Sequence, residues 1–75
     1  MAVKQVQIRT EFITLDAFLK WINIAGTGGH AKALIASGLI QVNGEKELRR
    51  GRKLRPNDHV LITGEGEWQI AAEEG

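Results

Sequence analysis

The sequence predicts an α+β fold: a helical hairpin packed on a small, mainly antiparallel sheet. Three observations carry this expectation. Apolar residues recur at helical spacing in two stretches, 14–22 and 27–38. From Leu39 onward the pattern becomes short alternating runs separated by turn signals. The stretch 3–9 alternates as well, with Val6 and Ile8 on one side and Gln5 and Gln7 on the other.

In chain order, residues 3–9 read as a half-buried strand, and 10–13 either extend it or lead into a helix. Thr14 is a plausible N-cap, and Asp16 lies in the first turn, where an anion favours the helix dipole. Leu15, Phe18, Leu19 and Ile22 form one apolar stripe, with Trp21 at its margin and Lys20 pointing away. Stop signals follow over 23–26, with Gly26 as the expected left-handed cap. Thr27 caps a second helix whose buried stripe is Ala31, Leu34 and Ile35, and Gly38 ends it. Gly28 and Gly29 stand in its first turn, although each glycine costs up to about 1 kcal/mol there relative to alanine. They call for a reason: either close helix–helix approach, or close approach of an anionic ligand to the exposed amides. Leu39, Ile40 and Val42 run into Asn43-Gly44, a strong hairpin signal, and the chain returns over 45–48. Pro56-Asn57 fits the centre of a turn. Strands follow over 59–63, with Val60 and Ile62 inward, and over 67–71, with Trp68 and Ile70 on one face. Gly64-Glu65-Gly66 lies between them, and 72–75 read as a frayed acidic tail.

With 75 residues the expectation is a single domain, 1–75, with a modest core. There is no cysteine, so disulfides and thiolate zinc sites are excluded and a reducing cytoplasmic setting fits. No run of about 18 apolar residues is present to span a membrane. The N-terminal residues lack the apolar core of a secretion signal. The net charge of +1 hides a segregation by sign. Residues 20–55 hold eight Lys and Arg against Glu45 and Glu47, whereas 56–75 hold five acids and no Lys or Arg. Such an arrangement orients a field, with one pole suited to an anionic partner.

The cations concentrate at Arg49, Arg50, Arg52, Lys53 and Arg55, in a stretch expected to form a loop between two turns. Like charges at this density repel unless an anion relieves them, and arginine forks match phosphate oxygens. A nucleic-acid backbone is the natural partner. Lys32, beside Gly28 and Gly29, extends the idea to the start of the second helix. His30 reads as a polar surface residue, or as a group that stacks on a base or donates to phosphate. Lys20 and Trp21 are additional candidates. Lys20 reads equally well as an ordinary exposed lysine; Trp21 reads as a base-stacking platform or, more readily, as a cap on the core. His59 and Trp68 read as structural. No nucleophile–base pair, phosphate loop or metal-ligand cluster is present, so neither catalysis nor a cofactor nor a metal is expected.

Several stretches resemble the alpha-L RNA-binding motif of ribosomal protein S-four, pseudouridine synthases, tyrosyl-tRNA synthetases and the ribosome-associated heat-shock family. They are Thr-Leu-Asp-Ala-Phe-Leu-Lys at 14–20, Ala-Lys-Ala-Leu-Ile-Ala-Ser-Gly-Leu-Ile-Gln-Val-Asn-Gly at 31–44, and Leu-Arg-Pro-Asn-Asp-His-Val at 54–60. The core of the likeness spans 14–63. Thr-Gly-Gly-His-Ala-Lys and Arg-Arg-Gly-Arg-Lys-Leu are similar to a subfamily of small stand-alone bacterial proteins called YaaA-like or YbcJ-like. The resemblance implies two helices on a small, strongly curved sheet. It implies RNA binding through Thr27, Gly28, Gly29, His30 and Lys32 together with Arg49, Arg50, Arg52, Lys53 and Arg55. Where many members carry Arg before the first Leu-Asp and Ser-Arg at the second helix start, this chain has Thr14 and Thr27-Gly28.

The resulting expectation is a monomeric, non-enzymatic protein that binds structured RNA, ribosomal or transfer, in ribosome assembly or translation, with the ribosome itself as a further partner. A protein adaptor using the sheet edge or basic loop, and a DNA binder, are the alternatives. Replacing Arg49, Arg50 and Arg52 with alanine is expected to weaken binding while leaving the fold intact.

Overall fold

In the computed structural model, which describes residues 3–73, two helices cover one face of a five-stranded sheet. The elements are β1 Lys4–Ile8, β2 Ile13–Thr14, α1 Leu15–Trp21, α2 Gly28–Ala36, β3 Ile40–Val42, β4 Glu45–Lys46, β5 Lys53–Leu54, β6 His59–Ile62 and β7 Gly66–Ala72. The sheet order is β1-β7-β6-β3-β4, and β2 pairs separately with β5. All pairings are antiparallel except β1 with β7, which run parallel with Val6 opposite Ile70. The sheet is therefore mainly antiparallel, as expected, and its parallel pair joins strands from the two ends of the chain.

Alternation dictates what is buried. Val6, Ile8, Ile40, Val42, Val60, Ile62, Trp68 and Ile70 face the helices, and Leu15, Phe18, Leu19, Ala31 and Ile35 meet them. Each large aliphatic side chain taken out of water in this way contributes about 1.5–3 kcal/mol. Phe18 meets Trp68 edge-on, with ring centroids 6.3 Å apart at 82°, a geometry worth about 0.5–1.5 kcal/mol beyond area burial. Ile22 and Leu34, the outer members of the two stripes, are only partly buried. The four glutamines of the chain, Gln5, Gln7, Gln41 and Gln69, alternate with buried residues and stay on the uncovered side.

Turns form where the local chemistry asks for them. Asn43 and Gly44 both have positive φ, 53° and 85°, the pair needed by a two-residue hairpin between β3 and β4. Asn57 takes φ 83° at the turn after Pro56, and Gly38 takes φ 81° beyond α2.

Several expectations need correction. The left-handed residue after α1 is Asn23, with φ 63°, not Gly26. Its N–H donates to the Lys20 carbonyl and that of Ile24 to the Leu19 carbonyl, the double bond of a Schellman ending that Asn satisfies as Gly would. Thr14 is the N-cap of α1, but its hydroxyl donates to Asp16 Oδ1 at 2.6 Å instead of accepting from the helix. The supposed basic loop contains a strand, β5, paired with β2. The return strand after the hairpin is shorter than 45–48, because the chain leaves the sheet after Lys46 and Leu48 is exposed. The tail is not frayed as far back as Ala72. That residue ends β7, the Glu73 N–H donates to the Ile8 carbonyl at 2.9 Å, and only 74–75 lie outside the described residues. Trp21 does not cap the core: it is 66% exposed.

Candidate nucleic-acid interface

The basic segment is built onto the start of α1. A helix start leaves its first N–H groups without intrahelical partners. Here the Leu15 N–H donates to the Arg52 carbonyl at 2.9 Å and the Asp16 N–H to the Arg50 carbonyl at 3.2 Å. The backbone that carries Arg50 and Arg52 thus caps the helix. The β2–β5 pairing, Thr14 with Lys53 and Ile13 with Leu54, continues the attachment.

Glu47 fixes the other end, and sequence reasoning missed it by counting it only as an offsetting charge. It is the buried acid among the described residues, 7% exposed. Its Oε2 accepts from the N–H groups of Leu48 and Arg49 and from Arg49 Nε at 3.0 Å. Its Oε1 accepts from Arg49 Nη2 and from Arg52 Nη1, each at 3.1 Å. The Arg49 guanidinium bond is the largest influence holding this carboxyl down to about 2, against the burial that would raise it, with backbone donation and Arg52 adding to the same effect. The same contact raises Arg49. The only forewarning in the sequence was an acid two residues ahead of an arginine run, a signal that does not separate a buried anchor from a solvated neighbour.

The remaining cations are held differently. Lys53 Nζ lies 4.9 Å, and the Arg55 guanidinium carbon 5.8 Å, from the centre of the Phe12 ring, contacts worth about 0.5–1 kcal/mol at exposed sites. Phe12 was also missed. Asp58 shapes the end of the segment: its Oδ2 accepts from the Arg55 N–H at 2.8 Å and its Oδ1 from Asn43 Nδ2 at 3.0 Å. Asn43 thus does more than turn the hairpin, since its Oδ1 also accepts from the His59 N–H at 2.9 Å. Arg49, Arg52, Lys53 and Arg55 share with Gly51, Pro56 and Asp58 the lining of one open cleft of about 760 Å³. Arg50 stands outside that lining, near Asp16. The Thr14 hydroxyl does most to lower the Asp16 carboxyl, with the Ala17 N–H and then the charges of Lys20 and Arg50 assisting. Lys20 is exposed on the same flank of α1 as that carboxylate, one turn on.

The start of α2 is open where that of α1 is closed. Thr27 Oγ1 accepts from the His30 N–H at 3.1 Å, as its N-cap role requires, and His30 Nδ1 accepts from the Gly26 N–H at 3.4 Å. The latter leaves Nε2 as the donor of a neutral His30. A Cβ at Gly28 would meet nothing within 4 Å, and one at Gly29 only Thr27 Oγ1 at 3.9 Å. Close helix–helix approach therefore does not explain the two glycines. Lys32 is exposed one turn on. Among the described residues no hydrogen bond or ion pair joins residues 27–32 to the basic segment.

The model of the family described as S4 domain matches residues 6–71. This chain belongs to the S4 domain family. It is also 43% identical, over 65 residues, to the probable ribosome maturation protein RlbA of Bacillus subtilis (strain 168), an alignment covering 87% of this chain and 92% of the relative. The family match is wider than the 14–63 core read from the sequence: it takes in the end of β1 and nearly all of β7. Among the described residues no group of His, Cys, Asp and Glu is arranged to hold a metal ion. Among the described residues no helix is long and apolar enough to cross a membrane.

Proposed function

We propose that this protein is a non-catalytic RNA-binding protein that acts in ribosome maturation, gripping structured RNA by its phosphates. One observation carries the reading. Five cations stand on seven residues whose backbone is held along its length, by buried Glu47 at Arg49, by the N–H groups of α1 at Arg50 and Arg52, and by Asp58 at Arg55. A segment so held gives up little conformational freedom when phosphate docks, and preorganisation of that kind favours affinity. Arg50, Lys53 and Arg55, which Glu47 does not occupy, make the first contacts. Arg49 and Arg52 present their remaining N–H groups from a fixed position in the cleft.

The start of α2 supplies the second contact. Its uncapped amides at Gly28 and Gly29, the His30 imidazole and Lys32 suit a phosphate approaching a helix N-terminus. Support comes from the space around both glycines and from the contrast with α1, whose amides are already taken. Fixed cations and backbone amides read shape and phosphate, which suits folded RNA. Ribosomal RNA is the favoured target, because a relative of this chain is named as a probable ribosome maturation protein. The protein would work as a cytoplasmic monomer of one domain.

The test is equilibrium binding to ribosomal RNA across a salt series. Phosphate-dominated binding loses affinity linearly in log–log form as salt rises. Replacing Arg50, Lys53 and Arg55 with alanine lowers the slope by roughly one for each phosphate that is no longer neutralised. Replacing Arg49 and Arg52 is the wrong choice, because it strands the buried Glu47 carboxylate. The triple replacement of Arg49, Arg50 and Arg52 considered from the sequence would remove both side-chain partners of Glu47. Unchanged affinity in the Arg50, Lys53 and Arg55 variant removes the site. Equal competition by duplex DNA of the same length turns the reading towards DNA.

A further inference from the structure

We propose that the small groove beside Trp21 receives one unpaired nucleobase of the RNA held by the basic segment. This deepens the RNA-binding reading and rests on it. The groove lies between the end of β1 and the end of α1, with Ile8 and Ile13 in its lining, Trp21 against it, and Arg9, Thr10 and Glu73 around it. Its volume is about 210 Å³, below the ~300 Å³ at which sites for drug-sized ligands begin. That is room for a single planar ring system.

Trp21 is the most exposed large apolar residue among those described, at 66%, while Trp68 is 6% exposed and packed on Phe18. An indole left bare on a small basic protein is a stacking surface, and stacking tolerates any base because each has a π face. The polar rim complements it. Arg9 Nε donates to Glu73 Oε2 at 2.8 Å, and the Arg9 side chain is 83% exposed. The other Arg9 nitrogens and Glu73 Oε1 have no partner among the described residues. A guanidinium donor therefore stands beside a carboxylate acceptor. The Watson–Crick edge of every base carries a donor beside an acceptor, so the rim suits an edge that is free of its pairing partner.

Position ties the groove to the phosphate site. Ile13 is the register partner of Leu54, which sits between Lys53 and Arg55. Phe12, next to Ile13, carries both cations on its ring. Lys20 precedes Trp21, and the Asp16 N–H at the start of the same helix donates to the Arg50 carbonyl at 3.2 Å. The groove and the cation row thus occupy two sides of one β2–β5 ribbon. A partner protein fits less well. A docked amphipathic helix needs a groove long enough for anchors at i, i+3, i+4 and i+7, and here the apolar exposure is one indole flanked by charge.

Two RNA stem-loops of equal length and charge provide the probe, one fully paired and one with a single bulged 2-aminopurine. Wild-type protein should bind the bulged stem-loop about tenfold more tightly, within the range that alanine substitution assigns to one stacked base, and should quench the bulged fluorophore. Trp21→Ala should abolish both the preference and the quenching while keeping the affinity and salt slope for the paired stem-loop. Trp21→Phe should retain part of each. Far-UV circular dichroism of Trp21→Ala should match wild type, because the side chain is exposed. Equal binding of the two RNAs by wild type, with Arg50, Lys53 and Arg55 still required, overturns the nucleobase pocket and leaves the RNA reading standing. A preference that survives in Trp21→Ala also overturns it, because the bulge is then read elsewhere on the protein. Binding to neither RNA removes both readings.

Discussion

The Glu47 carboxylate accepts five hydrogen bonds, from two backbone N–H groups and two arginine side chains. Its effect on stability has a definite sign. In the folded protein the group is depressed to about 2 from its ordinary value of 4.5. Its contribution is therefore fully present above about pH 4.5 and is lost as pH falls towards 2. The arginine partners stand partly in solvent, so the whole effect is taken as about 1–3 kcal/mol. Chemical denaturation at pH 7 and at pH 3 should show wild type losing stability between them, while Glu47→Gln starts lower and loses less. An identical pH dependence in the two proteins would mean that Glu47 is not the anchor. The converse variant, Arg49→Ala with Arg52→Ala, removes the partners of a buried carboxylate and should be destabilised at pH 7 beyond Glu47→Gln, because an uncompensated buried charge costs more than a removed one.

At the scale of elements, the two helix starts differ in what they do with their amides, and the glycines of α2 give a way to separate folding from binding. Neither glycine has positive φ, and neither has a neighbour that a methyl group would strike. Alanine at both positions should therefore stabilise the fold by up to about 1 kcal/mol each through helix propensity. The same methyl groups would stand where a phosphate approaches the amides, so RNA affinity should fall as the melting temperature rises. Thermal unfolding and RNA titration of the one double variant check both halves. A rise in stability with affinity unchanged would take the start of α2 out of the interface. The elements that the sequence made legible are those with local causes: Val6 and Ile8 alternating in β1, Asn43-Gly44 closing its hairpin, Gly38 and Asn57 taking positive φ. What it hid depends on distance in the chain. Gly26 was the residue expected in the left-handed position, but α1 ends early enough in the fold that Asn23 takes it. β2 and β5 have two residues each, too short to show a period, and exist because each pairs with the other. In the site, charge made the five cations visible. Which of them are engaged depended on the burial of Glu47 and the placement of Phe12, and neither has a local signature.

At the scale of the whole molecule, the site sits in the middle of the chain and the chain's ends hold it together. Asp58 and Asn57, which finish the basic segment, exchange backbone bonds with Ile70 of β7: the Asn57 N–H donates to the Ile70 carbonyl at 2.8 Å and the Ile70 N–H to the Asp58 carbonyl at 2.9 Å. β7 in turn lies between β6 and the parallel strand β1, and Trp68 on it meets Phe18 of α1. Removing β1 would bare the edge of β7, take Val6 and Ile8 out of the core, and leave Trp68 and Ile70 facing water at their margin. Each apolar side chain so removed is worth about 1.5–3 kcal/mol, against a total of only about 5–15 kcal/mol for a typical domain. A chain beginning at Arg9 keeps every residue assigned to RNA phosphates, yet it should unfold without a cooperative transition and lose the near-ultraviolet circular dichroism of Trp68. Its RNA binding should weaken as well, because the cations would then sit on a flexible chain and the freedom they give up on docking would oppose association. Full cooperative unfolding and unaltered affinity in that truncated chain would show that β1 supports neither the core nor the site.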